Sequence, residues 1–424
     1  MFRPRRQSPK LDGGSERGGG GGNSGRPKCA CPPVRQCGNS DEELPDVRRN
    51  RMSMTNAQRA SRLELIVVGG YNGQNFDMEE TRNMYKFNHA EQYWDFIGEM
   101  PAPRFHHCAV VHDPHIYIIG GASVNCTEIS AMTGNDAQIL SPTNTVYRYT
   151  PEKKEWAEMP PMATRRVYHT AVCAFGNIYV FGGQDEDQTI LDSVEIYDIH
   201  KRVWSTGPSL RRPLMGAAAV VTGGAIMVSG GITTPTVLRG PTCDRFNVIN
   251  RVHSLDVYTH TWSSVPSLPV PLVHHSALSI NGEVLIVGGA TAGYPKAEEA
   301  AKPHLLSRSD IFSFNAVTKM WELVATMPEA RANCGAAVIG DEIVVAGGQG
   351  VKRQETLDSI LRYDVYPHIC GPGVAMPSRR VALALVAFPS FKVPPRPVVA
   401  SKADMGTQLT LMHPQTTLAG WHQY

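Results

Sequence analysis

Short runs in which apolar and polar residues alternate recur through the middle of the chain, and six of them end in a pair of glycines. They read LELIVVGG, HIYIIGG, NIYVFGG, AIMVSGG, EVLIVGG and EIVVAGG, with the glycines at 69/70, 120/121, 182/183, 230/231, 288/289 and 347/348. A period of two predicts strands, because successive side chains of an extended chain point to opposite faces. A phosphate-binding loop would need a third glycine and then the start of a helix. After Phe181 the chain continues instead as GGQDEDQTILDS, which is acidic and repels phosphate. The glycine pairs therefore predict architecture.

A second series keeps step with the first. Trp94, Trp156, Trp204, Trp262 and Trp321 are each followed by the next glycine pair 26 residues later. The return from glycine pair to tryptophan varies from 21 to 35 residues, so one half of the repeat is fixed and the other carries insertions. Seven residues before the tryptophan stands Phe87, Tyr149, Tyr197, Leu255 or Phe314, and six after it Met100, Met162, Leu210, Leu268 or Met327. Ten after it comes Arg104, Arg166 or Arg331, with Leu214 and Leu272 in two copies. A sixth copy lacks its tryptophan but keeps the register through Tyr363, Cys370, Met376 and Arg380.

Each repeat reads as four short strands separated by turn residues. A lone four-stranded sheet cannot bury both faces, and radial stacking of such units predicts a β-propeller. The last copy stops after its first strand, RVALALVAFPS, while the first copy begins at its second, LELIVVGG. The two ends are expected to complete one blade, which removes the open edges. The fold class is therefore all-β, a six-bladed propeller over residues 62–388 whose first blade is closed by the C-terminal strand.

Composition changes this picture mainly at the ends. The chain has 424 residues and a net charge of +2, which offers no general attraction for nucleic acid or an acidic membrane surface. Residues 1–60 hold 12 Lys/Arg and 6 Asp/Glu, a net +6, which leaves −4 for the remainder. Rich in Gly, Arg, Ser and Pro, this stretch is expected to be a disordered tail, and 389–424 a flexible one. The N-terminus has no apolar segment of the signal-peptide kind and no run is long enough to span a bilayer. Nine irregularly spaced cysteines fit free thiols in a reducing compartment, so a cytoplasmic location is expected. Cys29, Cys31 and Cys37 lack an obvious fourth ligand, and no metal or cofactor is expected. The Asn125 sequon carries no meaning in that compartment.

The diglycine after an apolar strand, Tyr-Asp, Trp, Met-Pro, and Arg with His three residues on (Arg104/His107, Arg166/His169) resemble the kelch repeat over about residues 62–388. The closure of the first blade resembles that of the BTB-kelch (kelch-like) family. In the kelch domains of BTB-kelch substrate receptors, the positions corresponding to Tyr71, Phe105, His106 and Tyr168 lie on the peptide-binding face.

Strand order points to the same face. The segment before each first strand and the loop after each diglycine emerge together, and that side receives the insertions. The candidate protein-binding residues there are Tyr71, Asn72, Phe105, His106, Tyr168, Gln184, Asp185, His274, Asn333 and Gln349. Aromatic and amide groups of this kind suit a peptide. With almost no arginine just beyond the repeat arginine, a strongly acidic ligand is not expected. His106/His107 and His274/His275 fall on opposite blades, which has the look of a metal site, but His107, His169 and His275 share one repeat register and read as structural.

Three functions follow. The first is a non-enzymatic substrate-recognition propeller resembling that of BTB-kelch adaptors of cullin-RING ubiquitin ligases, with ligase components as indirect partners. A BTB module needs about a hundred or more residues, and the 60 before the propeller do not supply one. The second is a stand-alone kelch scaffold, for example cytoskeletal or actin-associated. The third, a propeller enzyme, has no nucleophile and base paired at the rim and no catalytic residues assigned.

Overall fold

In the computed structural model, the residues described are 63–73, 77–89, 91–124, 140–234, 247–293, 304–351 and 355–389. The expectations for both tails, the Cys29 cluster and the Asn125 sequon lie outside them.

Six four-stranded antiparallel sheets form the fold. Blade 3 shows the plan: Thr170–Ala174 pairs with Asn177–Phe181, that strand with Val194–Asp198, and that with Val203–Thr206. The innermost strands of neighbouring blades lie side by side all the way round. Ala384–Pro389 is flanked by Cys108–His112 and Gly335–Ile339, and Thr170–Ala174, Ala218–Thr222 and Ser276–Ile280 complete the ring. Closure is as the sequence predicts: Ala384–Pro389 joins the first blade antiparallel to Leu63–Val68, from Val68 opposite Ala384 to Leu63 opposite Pro389.

The core lies between blades, so each blade needs its neighbours. The second strands bury almost every residue, as in Ile66, Val67 and Val68. The tryptophans clasp the preceding blade: the indole N–H of Trp94, Trp204, Trp262 and Trp321 donates to the carbonyl of Val374, Pro160, Pro208 and Pro266, at 3.0, 2.7, 3.1 and 2.8 Å.

The glycine pairs bring blades together. Gly182 has φ +55°, and a Cβ there would stand 2.2 Å from the carbonyl oxygen of Leu214 in the next blade. The amide of Gly183 donates to that same carbonyl at 2.8 Å. Only a residue without a side chain allows this approach.

The repeat arginines are structural too, each at most 4% exposed. Arg166 donates to the Gly182 carbonyl at 2.8 Å and pairs with Glu195 at 2.6 Å. Arg380 donates to the Gly69 carbonyl at 2.9 Å and lies 5.2 Å from the Tyr85 ring. Arg104 bonds the Thr145 hydroxyl and lies 5.4 Å from the Tyr147 ring. Glu195, Tyr85 and Tyr147 share one register position, two residues before the repeat aromatic. In the blades with Leu214 and Leu272 it holds His253 and Phe312.

Candidate functional site: the channel mouth

The residue two places after each repeat arginine position is His106, Tyr168, Gly216, His274, Asn333 or Ala382, one per blade. All six have left-handed backbone conformation, with φ between 50° and 64°. In five steps of the circle the amide of one donates to the carbonyl of its neighbour: His106 to Ala382 (3.1 Å), Ala382 to Asn333 (2.9 Å), Asn333 to His274 (3.0 Å), His274 to Gly216 (2.8 Å) and Gly216 to Tyr168 (2.8 Å). The bonds use up backbone donors that would otherwise be stranded. They also fix where the five side chains leave the ring, Gly216 having none.

One residue earlier, the chain forms a bridge to the residue after the diglycine. Phe105 pairs with Ala122, Val167 with Gln184, Met215 with Ile232, Val273 with Ala290, Ala332 with Gln349 and Val381 with Tyr71. Two small apolar clusters result, one around Phe105 and Val167 and one around Val273 and Ala332. Two-stranded ribbons extend the insertions of three blades: Ala122–Val124 with Leu140–Pro142, Ile232–Thr233 with Asn247–Val248, and Ala290–Gly293 with His304–Ser307.

The aromatic members converge. The ring of Tyr168 lies 4.3 Å from that of His106 and 5.5 Å from that of His274, and the two imidazoles are 6.1 Å apart. Tyr71 stands behind them, 6.2 Å from His106. His106, Tyr168 and His274, together with Asn333 and a lower tier of His107, His169, His275, Cys108 and Cys334, line a cavity of about 180 Å³.

The cavity holds no formal charge. Burial lowers the pKa of His107, His169 and His275 to about 3 and of His274 to about 4. His106 is held well below the ordinary value by burial and then by its neighbours His274 and His107. The Cys108 thiol is pushed up to about 12 by burial, so it is protonated. The lower histidines keep to the repeat register: His169 Nε2 bonds the Ile119 carbonyl at 3.1 Å, and His275 Nε2 lies 2.8 Å from Ser229 Oγ. Among the described residues, no group of three or more His, Cys, Asp or Glu is arranged to hold a metal.

The sequence-predicted residues separate into two groups. His106, Tyr168, His274 and Asn333 stand together at the mouth, with Tyr71 beside them. Gln184, Asp185, Gln349 and Asn72 are half-buried and belong to the loops outside it. Gln184 donates to the Gln188 carbonyl at 2.9 Å, and Asp185 Oδ1 accepts from the amides of Asp187 and Thr189 at 3.0 and 2.8 Å. The exposure expected of Phe105 needs correction: it is 1% exposed, with its ring 4.9 Å from Tyr71. It follows a buried arginine and pairs with Ala122, so it supports Tyr71 instead of facing solvent. Gly216 and Ala382 complete the ring, as expected of the residues just after the repeat arginine position. The signal that finds them is the shared register with glycine and asparagine in it, the residues that most readily take positive φ.

Radial four-stranded sheets closed by a shared strand, with a diglycine in all six copies, a tryptophan clasp between blades in four and a buried arginine in four, define a kelch-type β-propeller. The chain belongs to the KLHDC2/KLHL20/DRC7 Kelch-repeats domain family, whose model matches residues 122–348. It is 26% identical to beta-scruin of Limulus polyphemus over 83% of this chain and 37% of that protein. It is 25% identical to kelch-like protein 40 of Xenopus tropicalis over 65% of this chain and 41% of that protein. The chain thus spans well under two thirds of these relatives. A solved structure of YjhT superimposes with a TM-score of 0.56 at 16% identity, covering 69% of this chain and 91% of the other, a likeness of fold.

Proposed function

We propose that this chain is a non-enzymatic protein-binding propeller that takes up a peptide segment of its partner at the channel mouth, through uncharged contacts with Tyr71, His106, Tyr168, His274 and Asn333. One observation carries the reading: six blades independently deliver one left-handed residue each to a single ring, and the side chains that are not Gly or Ala converge on one cavity. Neutral imidazoles and two phenols supply apolar faces and hydrogen-bonding edges, which suits amide and hydroxyl groups better than carboxylates.

The adaptor form of this reading draws on the kelch-like relatives. The scaffold form draws on beta- and alpha-scruin, whose alignments cover 83% and 74% of this chain. Either form acts in the cytoplasm, where the free thiols of Cys108, Cys173, Cys334 and Cys370 stay reduced. The non-enzymatic part is supported by Ser229 and His275, a serine and a histidine that meet beneath the mouth. Ser229 is 3% exposed, and His275 repeats the contact that His169 makes with a carbonyl, so the pair is a structural bond.

The test is affinity capture from cells with the full chain and its Tyr168→Gly variant, followed by mass spectrometry. Proteins lost with the variant identify the partner, and cullin among them supports the adaptor form. Equal recovery of every captured protein by both would overturn the assigned surface.

A further inference from the structure

A second cavity, of about 250 Å³, opens between blades 6 and 1, away from the channel mouth. Blade 1 lines it with Leu65, Phe87 and Trp94 and blade 6 with Val344, Pro372 and Val374. The Phe87 and Trp94 rings are 5.2 Å apart, and the Trp94 N–H is already given to the Val374 carbonyl. Trp94 is 8% exposed and Phe87 half-buried, so what the cleft offers a ligand is mainly the Phe87 ring, Pro372 and Val374, with the Arg362–Glu342 ion pair also lining it. The hairpin residues His89 and Gln92 also line it. His89 lies against Phe87, ring to ring at 4.9 Å, and Leu63 packs against the same apolar cluster as Phe87, Trp94 and Val374.

Leu63 is the residue opposite Pro389, where the described chain leaves the fold. The chain continues as Ser390, Phe391, Lys392, Val393, Pro394, Pro395, Arg396, Pro397, Val398. Proline fixes φ near −65° and restricts the residue before it to extended conformations. A segment of this composition favours polyproline II, and the surfaces that take polyproline II are grooves walled by aromatic rings. Five extended residues reach at most about 18 Å, so the prolines start within range of a cleft beside the exit.

We infer that the aromatic cleft between blades 6 and 1 is a docking site for the Pro394–Pro397 segment of this same chain, which straps the seam where the ring is closed. Held in cis, a segment this close acts at an effective concentration in the millimolar range, so even a weak contact is occupied.

The test uses the full-length chain. A photo-crosslinking amino acid at Gln92 is expected to join to residues 391–398, read by mass spectrometry. Adducts to the segment before Leu63, to another protein, or none at all would overturn the proposal. As a second arm, the free peptide of residues 390–399 is titrated into the wild-type chain and into the Pro394→Ser/Pro395→Ser/Pro397→Ser variant. The variant should bind it about tenfold more tightly, because the cis competitor is removed. Equal affinity, or no binding to either, would overturn the proposal. Val374→Asp in the variant should abolish the gain while an unchanged melting temperature reports an intact fold.

Discussion

His106 and His274 are 168 positions apart in the chain and sit on opposite blades, yet their rings stand 6.1 Å from one another across the channel mouth. Neither is brought there by its own flexibility. Each occupies a left-handed backbone position, φ 50° and 55°, locked by a bond from its amide to the preceding blade. Tyr168 completes the group, and Gly216 makes room for it: a Cβ at Gly216 would meet the His274 ring at 2.9 Å. The site is thus preorganised, which reduces the ordering that a ligand must impose.

Tyr168 separates binding from folding. A tyrosine at φ 57° is strained, and glycine there relieves the strain while keeping the ring backbone. Tyr168→Gly should leave the melting temperature of the full chain within a few degrees and weaken partner binding by about 2 kcal/mol, the loss expected of a central aromatic anchor. Calorimetry of unfolding and titration of the captured partner together check it. A variant that binds normally would remove Tyr168 from the site.

Arg166 should be replaceable only together with its partner. Removing the guanidinium alone leaves the Glu195 carboxylate, whose side chain is 8% exposed, without its countercharge, although the amides of Ala163 and Thr164 still donate to it. Arg166→Leu is expected to destabilise the protein by about 3–5 kcal/mol. The double change Arg166→Leu/Glu195→Phe copies Leu272 and Phe312, which share a core cluster two blades away, and should recover most of the loss. Urea unfolding of the three chains measures this, and a double variant no better than the single one would refute the account.

The fold was legible because the same solution is written six times. The fixed interval from tryptophan to glycine pair goes with a clasp made by four of the five tryptophans and with the close approach of the glycine pair to the next blade, and the split blade showed in where the first and last copies break off. The site was only partly legible. His106, Tyr168, His274 and Asn333 share a register that the sequence displays, but nothing local tells which residues of a register turn inward. Phe105 shows the difficulty: next to His106 in the chain, it is buried by a bridge to Ala122 that is visible only once the blades are assembled. Asp185 likewise reads as a rim carboxylate, and folding turns it onto its own loop amides. The three ribbons lie in the insertions, where no repeat fixes the pattern.

The lower tier of imidazoles should make the propeller acid-sensitive over a defined range. His107, His169 and His275 titrate at about 3 in the folded protein, and an unfolded histidine at about 6.5. Between these values the unfolded chain binds more protons than the folded one, so stability falls as pH is lowered from about 6.5 and is level above it. Near pH 5 each of the three contributes a slope of about 1.4 kcal/mol per pH unit. Denaturant unfolding from pH 7 to 4.5 should show the decline, and His275→Gln should lessen its slope by about one histidine's share. A flat profile, or an unchanged slope in the variant, would contradict neutral burial.

Two glycines of similar backbone conformation should respond very differently to alanine. Gly182 and Gly223 both have φ +55°. At Gly223, in the hairpin between Ala218–Thr222 and Ala225–Ser229, nothing lies within 4 Å of an added Cβ, so Gly223→Ala bears only the left-handed penalty of about 1–2 kcal/mol. At Gly182 the same methyl would stand 2.2 Å from the Leu214 carbonyl and 3.1 Å from that of Leu191, both backbone atoms that cannot swing aside. Blades 3 and 4 would have to part, breaking the bond from the Gly183 amide to Leu214 as well. Gly182→Ala should therefore exceed about 4 kcal/mol, the range reserved for changes that break a core or a strained junction. Equal losses at the two positions would mean that conformation alone, and not the approach of one blade to the next, explains the glycine pair.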